Sequence, residues 1–461
     1  MIVRMIARIH AKASLILLVT LASAAAAPAQ ALGQACLAAT AADEFTADEA
    51  GLTREWILQL PSVASGYRLN QVVVGDGLVV AQITDGTVHA VQAAPWGDGM
   101  PTAGAPRPGS LLWSQRVGSH GGPITHAGIG PDLVAIPNER GVTGLERSTG
   151  QLRWHESFSQ NVSGGAAVIG NWVYLPNSGG TVNRFAVHPL RQALEGGKAD
   201  DKTSTAKTGK KSAKKTKTKR QRKESLDPVA IHDGGSNVVA ITPIQLAGGV
   251  LWCTSDGLLV TLQPSEVDWR RLEFSLENPP AGPPVVRDRS IFATTTTGDL
   301  ARIELPGSVK ELQLAWHTVL PGPAFSGPFL AGDTIVVSLG DLGIAAYSAE
   351  TGTELWQTCL TGTILAIGGG RVWLIDELGK LSAFDLADGT PRERLCLGPF
   401  TLPVVNTHSD RLLLASPSGM LVSLAPRATG TPTPAEAADA AATAPAAPAR
   451  GPSGPAATPR P

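Results

Sequence analysis

A glycine-centred hairpin that recurs eight times along the chain restricts the possible folds more than any other feature. The clearest copy runs from Val72–Ala81 through Ile83-Thr84-Asp85-Gly86-Thr87 into Val88–Val91. An Asp-Gly pair between alternating apolar runs is a strong hairpin signal, because a two-residue connection demands positive φ and these residues accept it. The same pattern returns around Gly141, Gly180, Gly257, Gly298, Gly343, Gly379 and Gly419, in steps of 55, 39, 77, 41, 45, 36 and 40 residues. Two insertions account for the long steps: the Pro/Gly-rich stretch 96–109 in the first and a lysine-rich run in the third. A β-rich unit repeating about every 40 residues specifies a propeller with four strands per blade. The 51 glycines in 461 residues exceed the usual ~7% and fit a chain of tight turns rather than long helices.

Eight hairpins predict an all-β, eight-bladed propeller of four-stranded antiparallel blades over 52–427. The last hairpin, Leu412–Leu424, is followed at once by low-complexity sequence and so lacks an outer strand. The segment Arg54–Pro61 has the pattern of an outer strand with no hairpin of its own. Pairing the two closes the ring and leaves no open sheet edge at the seam.

A second signature lies at the strand corners. Gly144-Leu145-Glu146-Arg147-Ser148-Thr149-Gly150-Gln151-Leu152-Arg153-Trp154 aligns with Ala346-Tyr347-Ser348-Ala349-Glu350-Thr351-Gly352-Thr353-Glu354-Leu355-Trp356. A partial copy contains Asp385 and Gly389 but has Glu393 where the others have Trp. Together Thr149, Gly150, Trp154, Thr351, Gly352, Trp356, Asp385 and Gly389 resemble the tryptophan-docking repeat of the quinoprotein (PQQ-like) propellers, here its non-enzymatic BamB-like branch. The corner turns the third strand into the fourth, and the indole four residues later can bury ~150–250 Å² against its neighbours. The resemblance implies a scaffold that binds envelope proteins through propeller loops. Its enzymatic alternative is a dehydrogenase holding pyrroloquinoline quinone and Ca²⁺ in the central funnel. A carbohydrate or cell-surface polymer binder is a third reading.

For the enzyme reading the chain offers no adjacent cysteines, no C-x-x-C-H haem site, no H-E-x-x-H, no G-x-S-x-G and no complete phosphate loop. The nine histidines show no metal-ligand spacing, and most carboxylates sit in turns. No catalytic or metal-ligating residue is therefore assigned, and no cofactor is expected. Cys359 and Cys396 both follow a corner glycine by seven residues, which places them in neighbouring blades beyond the ~7 Å reach of a disulfide. Both are expected to be reduced.

Charge is distributed unevenly. Residues 198–223 hold twelve Lys/Arg against Asp200 and Asp201, and the first 31 residues hold Arg4, Arg8 and Lys12. With a total net charge of −1, the remainder stands at −14. The insertion 195–227 has no apolar period, cannot offset its ordering entropy by burial, and is expected to be a mobile loop. Its Lys210, Lys211, Lys214, Lys215, Lys219 and Arg220 are candidate contacts for an anionic polymer, bound without sequence preference. No aromatic residue is interleaved to stack on bases, so sequence-specific nucleic-acid binding is not expected.

Residues 1–31 read as an export signal: three cations, the apolar run 13–27, and Ala29-Gln30-Ala31 as a cleavage site. An uncleaved anchor is the competing reading of that run, and Cys36 a lipidation candidate, although Gly33-Gln34-Ala35 lacks the usual aliphatic residue. Residues 32–51 form a linker, and the Ala/Pro/Thr-rich 428–461 a flexible tail. No transmembrane span is expected after signal cleavage. The predicted location is the periplasm or the outer-membrane surface, with an extracellular location as the alternative.

Overall fold

The computed structural model describes residues 47–48, 50–61, 66–93, 106–118, 125–188, 230–233, 238–239, 241–264, 269–305, 307, 311–376 and 378–427. The export signal, the lysine-rich insertion and the Ala/Pro/Thr-rich tail lie outside these residues. The described chain is almost all strand, folded into eight sheets in which sequential strands pair antiparallel. We number the blades in chain order. Blades 1 to 7 have four strands each and span 69–116, 128–157, 167–233, 244–275, 285–319, 329–358 and 362–396.

Blade 8 is assembled from both ends of the domain. Its hairpin, Leu412–Ala415 and Met420–Pro426, accepts Leu52–Gln59 as the outer strand, in register from Leu52 opposite Pro426 to Gln59 opposite Met420. An isolated bridge between Leu402 and Ala415 stands where the innermost strand of the other blades runs. The predicted closure is therefore present, and the ring has eight blades.

The tight turns form for local reasons. In six blades a side chain at or just past the end of the second strand accepts from a backbone N–H in the turn or at the start of the third strand: Asn138 from Arg140, Asn177 from Gly179, Thr254 from Leu258, Thr295 from Asp299, Asp376 from Leu378 and Lys380, and Ser416 from Met420. Short polar side chains satisfy turn donors that no strand partner can reach. Blade 1 uses Asp85 for Thr87 instead.

Apolar side chains of adjacent sheets interdigitate at every seam. The seam between blades 1 and 2 buries Leu78, Val80, Val88 and Ala90 against Val134, Ile136 and Leu145, and other seams repeat this pattern. Near the axis the backbones approach closely. A Cβ on Gly327 would collide with the carbonyl of Pro283, and one on Gly282 with the N–H of Gly327, so blades 5 and 6 can meet there only through glycine.

Candidate interaction faces

Alternation of strand direction divides the turns between two faces of the ring. The hairpin turns between second and third strands share one face with the links between blades; we call it the link face. The turns between first and second strands, and the third-to-fourth corners, lie on the opposite, corner face.

The sequence-identified corner residues come together on the corner face, but not within one repeat. Gly150 sits against Trp113 of the preceding blade, so close that a Cβ would lie 2.6 Å from the indole. Gly352 meets Trp316 in the same way, and Gly389 meets Trp356. Each glycine has φ near +70°, so the open conformation and the close approach both exclude a side chain. The indole N–H groups complete the lock: Trp113 donates to the Arg147 carbonyl at 2.7 Å, Trp316 to that of Ala349 at 3.2 Å, and Trp356 to that of Leu386 at 2.9 Å. Trp154 donates to the Val187 carbonyl of blade 3, and Trp56 packs on Gly109 of blade 1. Thr149 and Thr351 cap their own corners through Gln151 and Thr353, and Asp385 accepts from the Ala387 N–H and from Arg392. Six outer strands also contain a register shift at the wedge position, which a β-bulge produces by re-aiming a side chain. Blades 3 and 4 lack that shift, and among the described residues no wedge tryptophan closes the seams that follow blades 3, 4 and 7.

The link face carries the most exposed apolar side chains. Among the described residues, Val238, Val319, Phe325, Leu342 and Leu378 are large apolar side chains exposed on its turns and links, with Phe325 76% and Val319 and Leu378 74% exposed. Phe325 approaches Gly340, Leu342 lies against Gly322, and the Phe325 N–H is tied to the Ser338 carbonyl at 2.8 Å. The Pro321-Gly322-Pro323 link thus holds an apolar ridge out to solvent over blades 5 and 6. Further round the same face, blades 1 and 2 enclose a cleft of about 440 Å³. Ile83, Val88 and Ile136 line it together with Thr87, Arg140, His155 and Ser157. The His155 ring is held by the Thr143 hydroxyl at 2.9 Å and the Ser157 hydroxyl at 3.3 Å.

The candidate anionic-polymer contacts, Lys210 to Arg220, lie outside the described residues. Their anchors do not: His188 and Ala230 place the insertion at the third-to-fourth corner of blade 3, on the corner face. Cys253 is a buried thiol pushed up to about 12, by burial first and by Asp256 second, and is therefore unreactive. Cys359 is free and exposed, but Cys396 is disulfide-bonded, against the expectation that both are reduced. That expectation weighed only pairing between neighbouring blades. Among the described residues no three His, Cys, Asp or Glu side chains could together hold a metal ion, so no chemistry through Ca²⁺ or a quinone is derived.

Comparison with known proteins rests on this geometry. The profile of the family described as outer membrane protein assembly factor BamB matches residues 98–256 and 236–401. The chain belongs to this PQQ-like propeller family. BamB from Moraxella catarrhalis is similar in structure, with a TM-score of 0.57 at 16% identity, over 81% of this chain and 97% of that one. The computationally designed Ika8 protein (0.54, 13% identity, 79% and 98% covered) and Saccharomyces cerevisiae Sqt1 (0.53, 10%, 77% and 95%) share the fold at this level. None of the curated proteins matches the sequence. Among the described residues no helix is long and apolar enough to cross a membrane.

Proposed function

We propose that the protein is an exported, non-enzymatic BamB-like scaffold, acting at the periplasmic side of the outer membrane in the assembly of envelope proteins. The observation that carries this reading is the asymmetry of the ring. The three most exposed large apolar side chains, Phe325, Val319 and Leu378 at 74–76%, lie on the link face, whereas those toward the corner face, Leu152, Leu314, Leu355 and Val405, are 45–59% exposed and share that face with ion pairs such as Arg147 with Asp76 at 2.6 Å and Arg287 with Asp333 at 2.9 Å. A rigid apolar ridge maintained at the cost of water contact is the mark of a protein-binding surface. Family membership supports the assembly role, and the Cys396 disulfide fits an oxidising compartment. The lysine-rich insertion, leaving from the opposite face, would hold an anionic envelope polymer while the link face holds a protein. No cofactor takes part.

The test is genetic and chemical together. Loss of the gene should lower the outer-membrane content of β-barrel proteins, and the wild-type chain should restore it. A Phe325→Asp, Leu342→Asp double variant, folded by circular dichroism, should not. A photo-crosslinker at Phe325 should capture a defined envelope protein, and one at Asp333 on the corner face should not. Retention of pyrroloquinoline quinone through desalting, with dye-linked alcohol or sugar oxidation, would replace the scaffold by the dehydrogenase.

A further inference from the structure

The seam between blades 3 and 4 is, among the described residues, one of those that no outer-strand indole closes. Where an indole wedge and a bulged outer strand would be expected, it has Arg184, on the third strand of blade 3. Its guanidinium lies between two indoles, 4.6 Å from the ring of Trp172 in its own blade and 5.0 Å from that of Trp269 in the next. Tyr174, opposite Arg184 in the sheet, accepts one hydrogen bond from it. The side chain is only 8% exposed, and its Nε and Nη1 groups have neither a hydrogen-bond partner nor contact with water.

Indoles on both faces stabilise the charge but satisfy none of the in-plane N–H groups, since cation–π attraction acts perpendicular to the plane those donors occupy. A buried cation with unmet donors is costly unless an acceptor completes it. The acceptor must approach edge-on between the rings, which suits a planar carboxylate and excludes a stacked ring. Trp172 and Trp269 are themselves only partly buried and stand at the corner-face end of their strands, so a ligand reaches the slot from the corner face. Arg270 is exposed beside Trp269, while Glu266 and Asp268, which precede Trp269 in the chain, lie outside the described residues.

We infer that this seam is a carboxylate-binding slot, with Arg184 as the recognition cation and Trp172 and Trp269 as its walls. Its ligand is an acidic segment of a partner protein. The inference rests on the scaffold reading above, since it adds a second binding surface, on the face opposite the Phe325 ridge.

The test measures intrinsic tryptophan fluorescence of the full chain titrated with hexaglutamate peptide and, separately, with inorganic phosphate. The same titrations are run on a variant lacking 198–223, so that the polycationic insertion is not mistaken for the slot. The expected result is saturable quenching by hexaglutamate in both proteins, weakened at least tenfold in Arg184→Met and partly retained in Arg184→Lys. Trp269→Phe, which keeps an aromatic wall, supplies a second variant in case Arg184→Met does not fold; it should retain affinity and lose much of the signal. Equal affinity in Arg184→Met and wild type overturns the slot. So does binding that vanishes with the insertion, or saturation by phosphate and not by the peptide. Each of these outcomes leaves the Phe325 cross-link unaffected, so failure of the slot is distinguishable from failure of the scaffold reading.

Discussion

Glu55 and Arg411 are separated by 356 residues in the chain, yet the arginine Nε donates to the Glu55 carboxylate at 3.0 Å. Ser423 donates to the other carboxylate oxygen at 2.9 Å, so one side chain on the first strand ties both strands of the last hairpin. Glu55 also sits at the register shift that re-aims Trp56 toward blade 1. Removing the carboxylate therefore loosens the seam at two points. Glu55→Ala should lower unfolding free energy by about 2 kcal/mol, in the range of hydrogen bonds to charged groups. Urea titration of Glu55→Ala, Arg411→Ala and the double variant should show the two losses to be non-additive.

Two glycines separate the cost of strain from that of collision. Gly379 and Gly389 have φ of 69° and 71°, but an added Cβ meets open space at Gly379 and lies 2.5 Å from the Trp356 ring at Gly389. Gly379→Ala should cost about 1 kcal/mol. Gly389→Ala should cost more than twice that, approaching the ~3–5 kcal/mol expected for Trp356→Ala. Equal losses at the two glycines, measured by denaturant midpoint, would mean the wedge contributes little.

Acid should destabilise the ring through His89. The ring is 2% exposed, its Nδ1 is paired with the Ser114 hydroxyl at 2.7 Å, and its Nε2 has no partner. Burial lowers its pKa, with Asp85 offsetting part of that effect. The unfolded chain therefore takes up the proton first. The contribution of His89 is fully present above pH ~6.5 and is lost as pH falls, by at most about 1.4 kcal/mol per pH unit. Thermal midpoints from pH 7.5 to 5 should fall less steeply in His89→Gln than in wild type.

Peptide mapping under non-reducing conditions should recover Cys396 in a disulfide and alkylated Cys253 and Cys359 after denaturation. Cys36, the remaining cysteine of the sequence, lies outside the described residues. It is the expected partner in a monomer. A lipid on Cys36 is incompatible with that bond, so the same map decides between them.

Deleting 198–223 should leave the thermal midpoint within about 1–2 °C, because the strands it connects, Thr181–Ala186 and Ala230–Asp233, are antiparallel neighbours that a short turn can join. Retention on heparin should fall sharply and lose most of its salt dependence.

The ring was readable in the sequence because its cause is local and periodic. Each hairpin carries its own turn residues, and the surplus strand at Arg54–Pro61 matched the strand missing after Leu424. The corner motif was legible as a pattern but not in its partnerships. Spacing placed Gly150 and Trp154 in one repeat, whereas the glycine receives Trp113, because an outer strand packs against the next blade rather than its own corner. The binding surfaces were not legible. Phe325 and Leu342 sit in turns whose exposure depends on how two blades meet. Arg184 had a signal, a cation inside the β-rich Thr181–Ala186, but nothing local shows that indoles 12 residues before it and 85 after it close on its two faces.

The displacement of the Gly150, Gly352 and Gly389 contacts to an indole of the preceding unit has a consequence for how such rings change over time. Blades 1, 2 and 6 each carry one socket and one plug, the socket for the predecessor's indole and the plug for the successor. A duplicated or deleted repeat of this kind therefore brings or removes a matched pair, and the new junction is furnished without further mutation. Blade number can drift in steps of one. The seams after blades 3, 4 and 7, which no outer-strand indole among the described residues closes, are the exceptions: shuffling repeats across them would leave a plug or a socket unmatched, which makes them fixed points in the series.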